Sequence, residues 1–103
     1  EGIDMLMVGT QDLTHALKAE GGDVQSRLWS SYEAVSKACR DNGKTFGIAG
    51  VRNDPERIAR LLSLGARFFT AGNDEAFVLA EGRRQTENFR ALLQRIETDA
   101  AAP

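Results

Sequence analysis

The chain has 103 residues, 42% of them hydrophobic, enough for one domain with a modest core and too few for two. Its 13 basic and 15 acidic side chains are nearly balanced and mixed along the chain, which excludes the electrostatic footprint of a nucleic-acid or anionic-membrane binder. A single cysteine, Cys39, excludes an intrachain disulfide and a multi-cysteine zinc site, and no apolar run nears the roughly 18 residues that span a bilayer.

A short apolar run over 4–8 predicts the first strand, which breaks at Gly9 and presents Asp12 three residues later. A polar, glycine-rich segment through Gly21-Gly22 follows, with a short helical turn over 13–17. A helix then begins near Asp23, where Val24, Leu28, Tyr32, Val35 and Cys39 recur at spacings of three and four and form one apolar stripe. Gly43 supplies its stop. The second strand covers 45–49. Asp54 before Pro55 then marks a capped helix start, with Ile58, Leu61 and Leu62 on the buried face and Gly65 at the end.

The third strand covers 66–71 and leads through Gly72-Asn73-Asp74 into a longer helical region. There Phe77, Leu79 and Ala80 precede Gly82, and Phe89, Leu92, Leu93 and Ile96 follow it. Residues 1–97 read as one α/β unit and 98–103 as a small polar tail that frays.

Strands alternating with helices at this spacing predict a parallel sheet built from right-handed βαβ crossovers. The three strands lack clear apolar alternation, which suits strands covered on both faces. Three strands cannot close a barrel, so the alternatives are a small open sheet or part of a (β/α)₈ barrel. The opening Glu1-Gly2-Ile3-Asp4, without an initiator methionine, favours a piece of a longer chain.

In a parallel sheet Asp12, Asp54 and Asp74 all follow strand C-termini, the end at which such folds place their chemistry. Asp54 reads most simply as a helix cap. Asp74 reads the same way, with Asn73 as a competing cap. Asp12 either caps the following turn or holds a hard divalent cation such as Mg²⁺, which takes one or two protein carboxylates. The amides of Gln11 and Asp12 open a helical turn beside Gly9 and suit a carboxylate or phosphate.

Other residues carry plainer readings. His15, three residues after Asp12, is a surface histidine rather than a metal ligand, and Trp29 and Tyr32 are packing residues of their helix. Arg52 after the second strand is a solvated loop cation that could face an anion at the same mouth. Gly82-Arg83-Arg84 is helix surface, and Cys39 is a small buried hydrophobe.

At Val8-Gly9-Thr10-Gln11-Asp12-Leu13 the chain resembles the HpcH/HpaI aldolase/citrate lyase family, which has an Ile-Gly-Pro-Ala-Asp-Leu-type stretch at the end of its sixth barrel strand. Residues 43–51 resemble the family's seventh strand and residues 64–74 its eighth, in register and over almost the whole chain. The resemblance implies the C-terminal part, about three βα units, of a TIM (β/α)₈ barrel with parallel strands.

It also implies a metal-dependent carbon-carbon lyase that reversibly cleaves a 2-oxo acid to release pyruvate or a related product; the cytoplasmic expectation comes instead from the single cysteine and the lack of a spanning or signal-like apolar segment. By resemblance Asp12 is a ligand of Mg²⁺, Mn²⁺ or Co²⁺, and the backbone amides of Gly9, Gln11 and Asp12 hold the substrate carboxylate. No catalytic acid or base is assigned within the chain, because the partner glutamate, the substrate arginine and the base-assisting histidine lie on earlier strands or loops of the family. The remaining partners implied are the rest of the barrel and a homo-oligomer that exchanges the C-terminal helix.

Thr10 and Gln11 depart from the commoner proline and alanine, and the glycine-rich loop at 18–22 is shorter than usual. Two other readings stay open: a non-catalytic α/β fragment or interaction module, and a phosphate-binding barrel of another family with Gly72-Asn73 as the phosphate loop.

Overall fold

A computed structural model describes residues 2–103, in the order β1 (Met5–Gly9), α1 (Thr10–Glu20), α2 (Val24–Asp41), β2 (Thr45–Ala49), α3 (Pro55–Ser63), β3 (Ala66–Phe69) and α4 (Asp74–Ala101). The chain is therefore α/β. It divides into two compact units, residues 1–71 and residues 72–103.

The first unit is built on a three-stranded sheet of order β1-β2-β3, parallel throughout. Leu6 pairs with Phe46 and Val8 with Ile48, while Phe46 and Ile48 pair onward with Ala66 and Phe69. That row holds the core. Phe46, Ile48 and Ala66 are buried together with Leu17, Leu28, Tyr32, Cys39, Val51 and Leu61, and Val8 and Phe69 pack against them. Because strand side chains alternate, the next row, Met7–Gly47–Phe68, faces the other way.

Coverage of both sheet faces, suggested by the uninterrupted apolar runs, is not what this unit shows. Met7 is 49% and Phe68 46% exposed, and only Gly47 on central β2 is buried in that row, beneath Met5 and Met7. The helices of one crossover layer cover one face, and three strands cannot curl far enough to cover the other with their own side chains.

Between β1 and the glycine pair Gly21-Gly22 the chain forms an 11-residue helix rather than a loop with a short turn. Thr10 and Leu17 on it are buried and Leu13 packs on the core, an inward stripe at helical spacing with no breaker before Gly21. α2 starts where the sequence places it, with the Asp23 carboxylate accepting from the Ser26 amide. Tyr32, Leu28 and Cys39 are its buried stripe, and the Ser36 hydroxyl donates to the Leu64 carbonyl at the entrance to β3. Cys39 is buried, its thiol against the Thr45 carbonyl at 3.5 Å, as a small core residue.

The second unit is α4, 28 residues long and unbroken at Gly82. Side-chain bonds from Arg84 and Gln85 to Glu81, and from the Thr86 hydroxyl to the Gly82 carbonyl, span the glycine. The paired guanidinium of Arg84, with Gln85, holds the Glu81 carboxyl at about 2, below its ordinary value. Helical structure continues through Thr98, whose hydroxyl bonds to the Gln94 carbonyl, and ends at Ala101. No residue of α4 is buried. Among the described residues no helix is long and apolar enough to cross a membrane.

Candidate functional site

Parallel pairing brings the C-terminal ends of β1 and β2 side by side, with Gly9 opposite Ala49. β1 passes directly into α1: Gly9 is the N-cap, Thr10 the first helical residue and Asp12 stands in the first turn. No side chain caps this helix, so Asp12 is not its cap. Its exposed carboxylate folds back over Gly9, with Oδ2 only 3.1 Å from where a Cβ would stand. A side chain at position 9 would therefore push against this acid. The positive end of the α1 dipole favours a negative charge at this place.

The end of β2 completes the mouth. Gly50 has φ +80, a left-handed conformation that disfavours other residues, and a Cβ there would lie 3.2 Å from Gln11 Cγ and 3.5 Å from the Gln11 amide nitrogen. The start of α1 thus sits against the β2 exit at backbone distance. Val51 is buried behind it, while Arg52 stays exposed in the loop and Asn53 takes φ 57.

Beneath the mouth, the Thr10 hydroxyl and the Tyr32 hydroxyl meet at 2.8 Å, both side chains buried. The Thr10 carbonyl accepts from the Thr14 hydroxyl at 2.6 Å. Burial pushes the Tyr32 phenol up from its ordinary value, and the Thr10 bond and the field of Arg57 oppose that shift without cancelling it. The Tyr32 ring meets Trp29 edge-on at 5.3 Å, and the Arg60 guanidinium lies 3.7 Å over the Trp29 ring. Packing is the role of both aromatics, as their helical spacing indicates, but the Tyr32 hydroxyl does more than pack. Sequence pattern misses the Thr10–Tyr32 pair because its members lie 22 residues apart on different helices. The only local signal is a hydroxyl directly after a strand-end glycine.

Asp54 is a cap. Its Oδ1 accepts from the Arg57 amide at 3.0 Å and its Oδ2 pairs with Arg57 Nε at 3.3 Å. In the second unit Asn73 wins the competition with Asp74: Asn73 Oδ1 accepts from the Ala76 amide at 2.9 Å, and Asp74 Oδ1 from Glu75. The Asn73 side chain of the suggested phosphate loop is thereby engaged in holding its own helix. His15 is exposed on α1.

The chain is similar to two aldolases. It is 37% identical over 95 residues to a 4-hydroxy-4-methyl-2-oxoglutarate aldolase of Hapsidospora irregularis, across 91% of this chain and 35% of that protein. A 4-hydroxy-4-methyl-2-oxoglutarate aldolase of Chaetomium globosum is 41% identical over 56 residues, 54% of this chain and 21% of that protein. The chain spans about a third of the length of the first of these relatives. No protein-family profile matches it, and no solved structure matches it significantly.

Among the described residues, no group of three or more His, Cys, Asp or Glu side chains is gathered to hold a metal ion. The donor set at the mouth is a single exposed carboxylate, Asp12. That suits a hard cation of the Mg²⁺ type, which takes one or two carboxylates and fills its other positions with water and substrate oxygens. It does not suit a closed structural site.

Proposed function

We propose that this chain is the C-terminal part of a metal-dependent carbon-carbon lyase of the HpcH/HpaI kind, folded as a (β/α)₈ barrel and acting on a 2-oxo acid. The observation that carries the aldolase part of this reading is the similarity, over 91% of the chain, to a protein named a 4-hydroxy-4-methyl-2-oxoglutarate aldolase; the HpcH/HpaI kind, the metal and the barrel rest on the resemblance of residues 8–13, 43–51 and 64–74. The open Met7–Gly47–Phe68 face supports it, since parallel strands with helices on one side need further structure on the other.

The name of that substrate defines the chemistry. Breaking its C3–C4 bond leaves the electron pair on C3 as the enolate of one pyruvate, while the C4 hydroxyl loses its proton and becomes the keto group of a second. Asp12 of this chain would hold Mg²⁺, Mn²⁺ or Co²⁺. When bound, the cation supplies Lewis-acid stabilisation of the negative charge that the cleavage generates.

The remaining work of the chain is binding. The amides of Gly9, Gln11 and Asp12 take the carboxylate of the 2-oxo acid, at the helix end whose dipole favours an anion. Gly50 allows the Gln11 backbone to lie against the β2 exit and so places that amide. The second metal ligand and the proton acceptor belong to the remainder of the enzyme. Exposed Phe89, Leu92, Leu93 and Ile96 on α4 fit a homo-oligomer in which this helix is exchanged.

The test is Asp12→Asn in the full-length enzyme, assayed by pyruvate release from 4-hydroxy-4-methyl-2-oxoglutarate with Mg²⁺ or Mn²⁺. Cleavage is expected to fall on the order of 100-fold or more, since several kcal/mol of charge stabilisation depend on the cation. Unchanged turnover would refute the assignment of Asp12.

A further inference from the structure

The first turn of α1 and the Gly9 that caps it carry every group that this chain offers to the proposed reaction, and one buried contact from another helix holds that turn. Thr10 is the first residue of that turn and is 4% exposed, and Tyr32 of α2 is fully buried. Their hydroxyls meet at 2.8 Å. A hydrogen bond between two buried hydroxyls is directional and has little water to replace it, so it sets an orientation as well as a distance.

Tyr32 is itself immobilised. Its ring is met edge-on by Trp29, and Trp29 is covered by the Arg60 guanidinium. On the opposite flank the Gln11 amide lies against Gly50. The turn is thus held from α2 on one side and from the β2 exit on the other. Gly9 directly precedes Thr10, and Gln11 and Asp12 follow it in the same helical turn, so an anchor on Thr10 holds the stretch of backbone that carries all three.

We infer that Tyr32 is a positioning residue: its hydroxyl, through Thr10, sets the orientation of the amides of Gly9, Gln11 and Asp12 toward the carboxylate of a 2-oxo acid. This rests on the aldolase reading above and extends it to a residue that touches neither substrate nor metal. The Thr10 hydroxyl is buried and its partner is Tyr32, which assigns it to holding the turn.

Three variants of the full-length enzyme test it: Tyr32→Phe, Thr10→Ser, and the double variant Thr10→Val with Tyr32→Phe. Each is measured for thermal midpoint, for pyruvate affinity in the presence of Mn²⁺ by calorimetry, and for KM and kcat on 4-hydroxy-4-methyl-2-oxoglutarate. Tyr32→Phe is expected to lower the midpoint and to raise the pyruvate Kd and KM about fivefold to tenfold, the scale of one hydrogen bond, with kcat within about twofold.

Replacing both hydroxyls by apolar groups of similar shape removes the unsatisfied partner, so the double variant recovers the midpoint yet keeps the raised Kd. Thr10→Ser retains the hydroxyl and keeps the affinity. Recovery of both midpoint and Kd in the double variant, or an unchanged Kd in Tyr32→Phe, would overturn the inference while leaving the aldolase reading intact. A wild-type enzyme that neither binds pyruvate with Mn²⁺ nor cleaves the substrate would overturn both.

Discussion

Replacing Asp54 by alanine separates an acid that holds a helix from Asp12, the acid proposed to serve a site. Asp54 caps α3: Pro55 has no amide hydrogen to satisfy, and the Arg57 amide, bonded to Asp54 Oδ1 at 3.0 Å, is the orphan donor that the side chain covers. Losing such a cap costs about 1 kcal/mol, within a range of roughly 0.5 to 2. The accompanying ion pair to Arg57 Nε, with side chains 31% and 42% exposed, is screened by solvent and adds only about 0.2 to 0.5 kcal/mol.

The total is about 1 to 2 kcal/mol. In the full-length enzyme, whose greater length raises the urea dependence to roughly 3 kcal/mol per molar, the midpoint of urea unfolding followed by circular dichroism should fall by about 0.5 M. Asp54→Asn keeps the capping oxygen and should recover all but the few tenths due to the ion pair. Pyruvate release at saturating Mn²⁺ should be unchanged in both. If Asp54→Ala kept wild-type stability and lost cleavage, Asp54 would be a site residue and the capping argument would fail.

Two further outcomes follow from the core. The helical pattern puts Leu61 and Leu62 together on the buried face of α3, but the structure buries Leu61 fully and leaves Leu62 44% exposed, so Leu61→Ala should destabilise by about 2 to 5 kcal/mol and Leu62→Ala by about 0.5 to 1 kcal/mol; equal thermal midpoints for the two would contradict that helix face. Tyr32 ionises near 10.0 when unfolded and at higher pH when folded, so above about pH 10 the folded form binds more protons and stability falls as pH rises. Tyr32 is the single tyrosine of the chain, and Tyr32→Phe should flatten the decline of the urea midpoint between about pH 9 and about pH 11.

Much of the architecture follows from short-range rules. The β2 strand over 45–49, the α3 start at Asp54-Pro55 and the turn at Gly65 each depend on residues within a few positions of one another, and the structure has them in those places. The α1 helix is harder to read because its inward stripe of Thr10, Leu13 and Leu17 includes a polar residue. A buried threonine looks like surface until its partner is known.

What the sequence by itself determines is the alternation of strands and helices, the identity of the acids at the strand ends, and which of them a helix start accounts for. Asp12 was legible as the acid left over once Asp54 was assigned to a cap. Only the tertiary structure decides that Gly50 lies against the Gln11 amide and that Tyr32 reaches under α1 to hold Thr10. Capping and periodicity are energies of neighbouring residues along the chain, whereas these contacts exist only after parallel pairing has brought the exits of β1 and β2 together and laid α2 beneath them. The candidate site is therefore written locally in its acids and glycines, and its orientation is written in the packing.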